Sequence, residues 1–436
     1  MLSTPRLLAE FEAKAGRFAG FQDAQERRLA AYRAALATLG ARYPTAAAIA
    51  AAQRDLMAGE SAGALPTAEY DRWRARGEQG PPVLPFGRAF AHHAESRTWA
   101  EGLRGVTTFA VDGSQLLPWR DVSVPVALVQ AGLFENPHRP PAPYLKDITV
   151  ELLTPDDLLG DPSDAAGAPD ELADEEARGG TGQLASEEAV HLRRFQLEAR
   201  TLVARMEHHA QRRETGRGAA NDLVVGFLDG SLIVSFALKM SPPYRAAYLA
   251  AARSLLDAST RCRVPLVAYI DTSYARDLVG MLRRLALDDR APSSAALPPP
   301  HGVHDALLWG GALAWGDRSP AFFSARGDLL AESYGAHKEG IGFVYFQAAL
   351  DRPPARLEFP RWMLEAGLLD AVLDAVRAEV IAGNGYPYPL ESADAVAVIT
   401  LADRERFYRL FQQFAERRGL ALSFSRKALS KSRRRV

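Results

Sequence analysis

Phe109-Ala110-Val111-Asp112-Gly113-Ser114 and Gly226-Phe227-Leu228-Asp229-Gly230-Ser231 each run an apolar stretch into Asp-Gly-Ser. Such a run reads as a strand meeting a turn, because Asp and Gly are turn residues on conformational grounds. A carboxylate at a strand end is held by the sheet, and glycine lets a backbone or ligand come close. Taken singly, each motif is equally well an ordinary turn.

What lies between and around the two motifs sharpens the reading. Thr107 to Val111, Val122 to Phe134 and Ile148 to Leu153 are strand candidates joined by loops, which predicts an antiparallel meander. Residues 154–186 are crowded with Asp, Glu, Gly and Ala and have little apolar surface to offset the entropy of ordering, so a flexible acidic insertion is expected. It is either an exposed loop or a lid that mimics DNA over a basic groove. Ser186-Glu187-Glu188 has the hydroxyl and first-turn acids of a helix start. On that helix Glu198 falls three residues after Phe195 and four before Leu202, on the apolar stripe, where a carboxylate needs a partner. Asp222 to Leu228 then reads as a central strand ending at Asp229. A helix over 244–260, a strand over 264–270 and a helix after Ser273 continue in an alternation that predicts parallel pairing. Later elements are a strand over 342–348, the short Arg356 to Pro360 piece, a helix through Val380 and another starting near Ser392.

Upstream, Leu29, Tyr32, Leu36 and Leu39 have helical spacing in an Ala-, Leu- and Arg-rich text, so residues 1–104 are expected to form a helical arm. Residues 425–436 make a strongly basic tail suited to nonspecific phosphate neutralisation, or simply to solvation.

With 436 residues, 47% of them hydrophobic, the chain can bury a large core, and its net charge of -1 says less than the segregation of its charges. The single cysteine, Cys262, has no partner for an intramolecular disulfide and reads as a core thiol. No run approaches the roughly 18 apolar residues of a membrane span, and the first residues lack a secretory apolar region. A cytoplasmic protein without membrane contact is therefore expected. The absence of a glycine-rich loop ending in Gly-Lys-Ser or Gly-Lys-Thr argues against intrinsic ATP hydrolysis. His301-Gly302-Val303-His304-Asp305 matches no zinc spacing and reads as a loop.

The order of elements, a three-strand meander with Asp at the end of its first strand, a helix with an inward Glu and a parallel strand ending in Asp, resembles the RNase H-like fold. The expected fold class is α/β: an RNase H-like mixed sheet, antiparallel meander plus parallel strands, flanked by helices and preceded by the helical arm. Near the C-terminus, Gly385-Tyr386-Pro387-Tyr388-Pro389-Leu390 resembles the signature of NurA nucleases. With both Asp-Gly-Ser motifs, the Arg193 to Glu198 pattern and the Arg356 to Pro360 piece, the resemblance spans Phe109 to Ile399 and implies a nuclease domain over 105–424.

The resemblance implies that Asp112, Glu198, Asp229 and Asp394 are the catalytic carboxylates and bind Mn²⁺ or Mg²⁺ as two ions, Asp112 bridging them. Asp394 stands where many relatives have histidine, and Glu391 competes for the fourth place. Asp271 stands near where relatives often have lysine and is given no role. Tyr388, and after it Tyr386, are candidates for positioning a phosphate or base. The family further implies a homodimer, a HerA-type hexameric ATPase as partner, and 5′ to 3′ exonuclease with single-strand endonuclease activity in end resection and double-strand break repair. Two other readings stand beside it: an actin-like ATPase or sugar-kinase-type phosphotransferase, which would explain both Asp-Gly turns but not Glu198, and a catalytically inactive DNA-end adaptor.

Overall fold

The structure is a computed structural model that describes residues 2–56, 62–102, 104–119, 122–159, 175–216, 223–287, 297–327 and 333–423. The centre of the acidic insertion and the basic tail lie outside the described residues. In chain order the first elements are α1 (Thr4–Arg42), α2 (Ala46–Leu56), β1 (Gly63–Pro66), α3 (Ala68–Ala75) and α4 (His93–Glu101). Then come β2 (Thr107–Leu116), β3 (Ala127–Asn136), β4 (Leu145–Leu153), α5 (Pro155–Leu159), α6 (Glu175–Glu214), β5 (Val224–Asp229), α7 (Pro242–Cys262) and β6 (Leu266–Ile270). The remainder is α8 (Asp277–Leu285), α9 (Asp305–Leu308), β7 (Phe322–Ala325), β8 (Ile341–Phe346), β9 (Ala355–Pro360), α10 (Arg361–Glu365), α11 (Leu369–Ala382), α12 (Tyr388–Ala397) and α13 (Leu401–Arg418).

Among the described residues nine strands make up a mixed sheet, and the chain divides into two compact units. The first comprises Met1–Ala100, Gly230–Ile233 and Val267–Tyr386. Its strands run β1-β7-β8-β9-β6 with antiparallel neighbours. The reason is the connection: β8 and β9 are joined by a short turn, not by a crossover helix, and short connections give antiparallel pairs. The stretch read as an arm is helical for most of its length but contributes β1, and Tyr32, Leu36 and Leu39 of α1 are buried with Trp73, Leu282 and Trp309 in the unit's core.

The second unit comprises Glu101–Asp229, Val234–Leu266 and Pro387–Val436. Here β2, β3 and β4 form the expected antiparallel meander, and β5 lies parallel to β2 with Thr107 beside Val224. This is the RNase H-like arrangement. Helices α6 and α7 pack on each other, Phe195 meeting Tyr248 at 5.3 Å. Cys262 is buried, as expected of a core thiol.

Three local expectations need correction. β2 does not stop at Asp112: the ladder runs to Leu116, with Asp112 opposite Gly132 and Gly113 opposite Ala131. Turn propensity yields here to a partner strand whose Gln130, Val129 and Leu128 keep the ladder going. The helix expected at Ser186 begins at Glu175, because extending a helix already held by packing costs far less than starting one; α5 likewise orders the start of the acidic stretch, with Asp157 accepting from Thr154 N at 2.9 Å. The helix expected near Ser392 starts at Tyr388, with proline in its first turn, where a missing N–H is harmless. Among the described residues, no helix is long and apolar enough to cross a membrane.

Candidate active site

Asp112, Glu198, Asp229 and Asp394 all belong to the second unit. Asp112 is half-buried in the interior of β2, and Asp229 is the exposed last residue of the parallel neighbour β5. Glu198 on α6 and Asp394 on α12 come from two helices that both pack on β2 and β3. The two Asp-Gly-Ser motifs thus serve different purposes, one inside a strand and the other at a strand end, where Gly230 takes φ of 108°.

Two glycines allow the helices to approach. A β-carbon on Gly113 would collide with Glu198 Oε1 and lie 2.8 Å from Arg194 Cγ, so its missing side chain lets α6 set Glu198 on β2. A β-carbon on Gly132, opposite Asp112, would lie 2.6 Å from Ala397 N and 2.9 Å from Ala393 O. Helix α12 therefore rests directly on β3, fastened where Gln130 Nε2 donates to Ala397 O at 2.6 Å.

The electrostatics are those of like charges brought together. Glu198 is 8% exposed. Its burial, with the charges of Asp112 and Asp229 added and Arg194 opposing, pushes its carboxyl up to about 7. Burial also raises Asp112 to about 6 against the Gly113 N–H, helped by Asp229, by Asp394 and by a hydrogen bond shared with Asp394. Asp394 is thus the α12 carboxylate that acts on Asp112. The Arg194 Nε lies 3.6 Å from Glu198 Oε1 while its Nη1 donates to Gly113 O at 3.1 Å. Even so, Glu198 Oε1 is buried without a hydrogen-bond partner. Among the described residues no three His, Cys, Asp or Glu side chains are gathered around one point as a ligand set. The fit to a divalent cation rests instead on donor chemistry: hard carboxylate oxygens, mutually repelling, one of them buried and unsatisfied.

Arg194 was not anticipated, although its place one turn before Glu198 is the spacing of a helical ion pair. The arginine of the Arg193 to Glu198 pattern points elsewhere, to Asp157 at 3.2 Å and Glu151 at 3.6 Å. Glu358 was also missed: its Oε2 accepts from Ser231 Oγ at 2.7 Å and Leu232 N at 2.9 Å, tying down the turn after Asp229. Nothing local in the sequence signals this, since the partners are far apart along the chain. Tyr388 packs edge-on against Phe134 at 5.6 Å, and Tyr386, in the first unit, against Tyr269 at 5.2 Å. Asp271 pairs with Arg352 at 3.4 Å. Asp305 turns inward, accepting from Leu278 N at 2.9 Å and Val279 N at 2.8 Å, and begins α9.

Comparison with known proteins gives a family model described as NurA domain, which matches residues 106–399. Among solved structures, the NurA nuclease from Sulfolobus solfataricus is similar at 14% identity and TM-score 0.43, covering 72% of this chain and 85% of that one. A NurA structure with manganese is 10% identical, covers 71% and 89% of the two chains and has a TM-score of 0.34. Another, bound to dAMP and manganese, is 10% identical with coverage of 68% and 85% and a TM-score of 0.31. No curated protein matches.

Proposed function

The chain belongs to the NurA family, and from that membership together with its four-carboxylate site we propose that it is a divalent-metal-dependent DNA nuclease acting in DNA repair. The observation that carries this reading is Glu198 Oε1, a buried carboxylate oxygen without a hydrogen-bond partner, set against Gly113, the residue after Asp112. Asp112, Glu198, Asp229 and Asp394 would hold Mn²⁺ or Mg²⁺, two ions in the full site. When bound, such cations stabilise the entering and leaving oxygens of a phosphodiester in line.

The chain's own residues hold the site. The β2 ladder fixes Asp112 between β3 and β5, the Asp229 turn is anchored through Ser231 to Glu358, and Arg194 restrains Glu198 while keeping its own hydrogen bond to Gly113 O. Between Asp394 and Glu391, the charge felt by Asp112 favours Asp394 as the fourth ligand. Tyr388 keeps a free hydroxyl role only as a substrate contact, since its ring is used in packing on Phe134.

Family membership further supports a homodimer working with a HerA-type hexameric ATPase, digesting 5′ to 3′ in end resection with some single-strand endonuclease activity. The lack of a Gly-Lys-Ser or Gly-Lys-Thr loop is consistent with a partner supplying the drive. The test is Asp112→Asn assayed in Mn²⁺ on end-labelled single-stranded and resected duplex DNA. Cleavage should vanish, and unchanged cleavage would remove Asp112 from the site. Calorimetric titration of the wild type with Mn²⁺ separates the nuclease from an inactive DNA-end adaptor, which need not bind the metal.

A further inference from the structure

Tyr274 stands on the loop between β6 and α8 with 75% of its surface exposed. Its ring is braced by His304, with centroids 5.1 Å apart and planes at 62°. Arg276 and Arg283 are exposed, and among the described residues neither guanidinium has a hydrogen bond or ion pair. Both lie near enough to act on the Tyr32 hydroxyl, and Arg276 acts on His304 as well. Arg28 of α1 joins them, donating to His301 O at 3.2 Å. Among the described residues the neighbouring carboxylates face the other way. Asp305 caps α8 from inside, and Asp277 is fully buried against Arg326 at 2.8 Å and Arg356 at 3.0 Å. Asp271 is taken by Arg352.

An exposed ring beside exposed arginines is the arrangement that takes a base on its face and phosphates along its flank. Bases are free to stack in this way only when the strand is unpaired. We propose that this face of the first unit binds a single strand of nucleic acid, with a base on Tyr274 and the backbone along Arg276, Arg283 and Arg28. The proposal rests on the nuclease reading but concerns none of the four carboxylates.

The test is fluorescence anisotropy of a labelled oligo-dT strand in EDTA, where binding is read without cleavage. Tyr274→Ala should weaken binding about tenfold and Tyr274→Phe should leave it within about twofold. Replacing Arg276 and Arg283 together by Ala should flatten the dependence of log affinity on log salt by about 1.4. All three side chains are exposed, so circular dichroism should show the variants folded. If the wild type binds the strand while every variant keeps its affinity and salt slope, the assigned face is wrong and the nuclease reading survives. A wild type that binds no strand under these conditions overturns the assigned face, while the nuclease reading stands or falls on the Asp112→Asn assay in Mn²⁺.

Discussion

A methyl group at Gly113 would have to displace Glu198 Oε1 and press on Arg194, which is the most economical way to disturb the site without removing a carboxylate. Gly113→Ala should cost about 1–3 kcal/mol in urea unfolding and depress cleavage well beyond what that loss explains. A variant as active as wild type would mean that Glu198 does not need its seat on β2. Glu135 lies in the same unit, away from the four carboxylates, and should govern acid stability. It is buried against Arg205 and against His209 Nε2 at 2.8 Å, and these partners hold its carboxyl down at about 2 despite the opposing effect of burial. A carboxyl depressed on folding stabilises the protein above its unfolded value and stops doing so as pH falls toward the folded one. The contribution, on the order of 3 kcal/mol, should therefore be complete above about pH 4.5 and disappear toward pH 2. Urea midpoints across that window should fall more steeply for wild type than for Glu135→Gln, and parallel curves would refute the assignment. The Glu135 cluster joins residues far apart in the chain, so nothing in the sequence announces it.

At the scale of elements, the seating of α12 on β3 decides where Asp394 stands. A side chain on Gly132 would meet backbone atoms of Ala393 and Ala397, which cannot swing aside as a side-chain tip can. Gly132→Val should destabilise the protein by about 3 kcal/mol and speed amide hydrogen exchange along α12 more than along α6. Equal exchange in both helices would show that α12 does not depend on that approach. Element type was largely legible: the meander, the parallel β5, and the placing of Glu198 on a buried helical stripe all follow from periodicity. Element ends were not. Asp-Gly looks the same whether a ladder stops or continues, and only the register with Gly132 and Ala131 shows that β2 continues.

For the whole molecule, the first unit depends on a buried charge network with no counterpart in the sequence reading. Arg356 lies over the Phe343 ring at 3.8 Å and contacts Glu358 at 2.8 Å and Asp277 at 3.0 Å. Removing the arginine would take one cationic partner from each of two buried carboxylates. Arg356→Ala should cost about 3–5 kcal/mol, and Arg356→Met should also destabilise because it restores volume without charge. Chemical denaturation checks both, and a neutral Met variant would show that the network is dispensable. Within the same unit Glu358 Oε2 also accepts from Ser231 Oγ at 2.7 Å. By itself the sequence determined most element types and the family signature, and it supplied the four carboxylates proposed for the site, because apolar periodicity and short motifs are local properties. Only the tertiary structure decided that one Asp-Gly-Ser is a strand interior and the other a turn, that Arg194 and not Arg193 sits on Glu198, and that Asp394 rather than Glu391 acts on Asp112. Those outcomes depend on which glycines let helices approach the sheet and on partners distant in the chain.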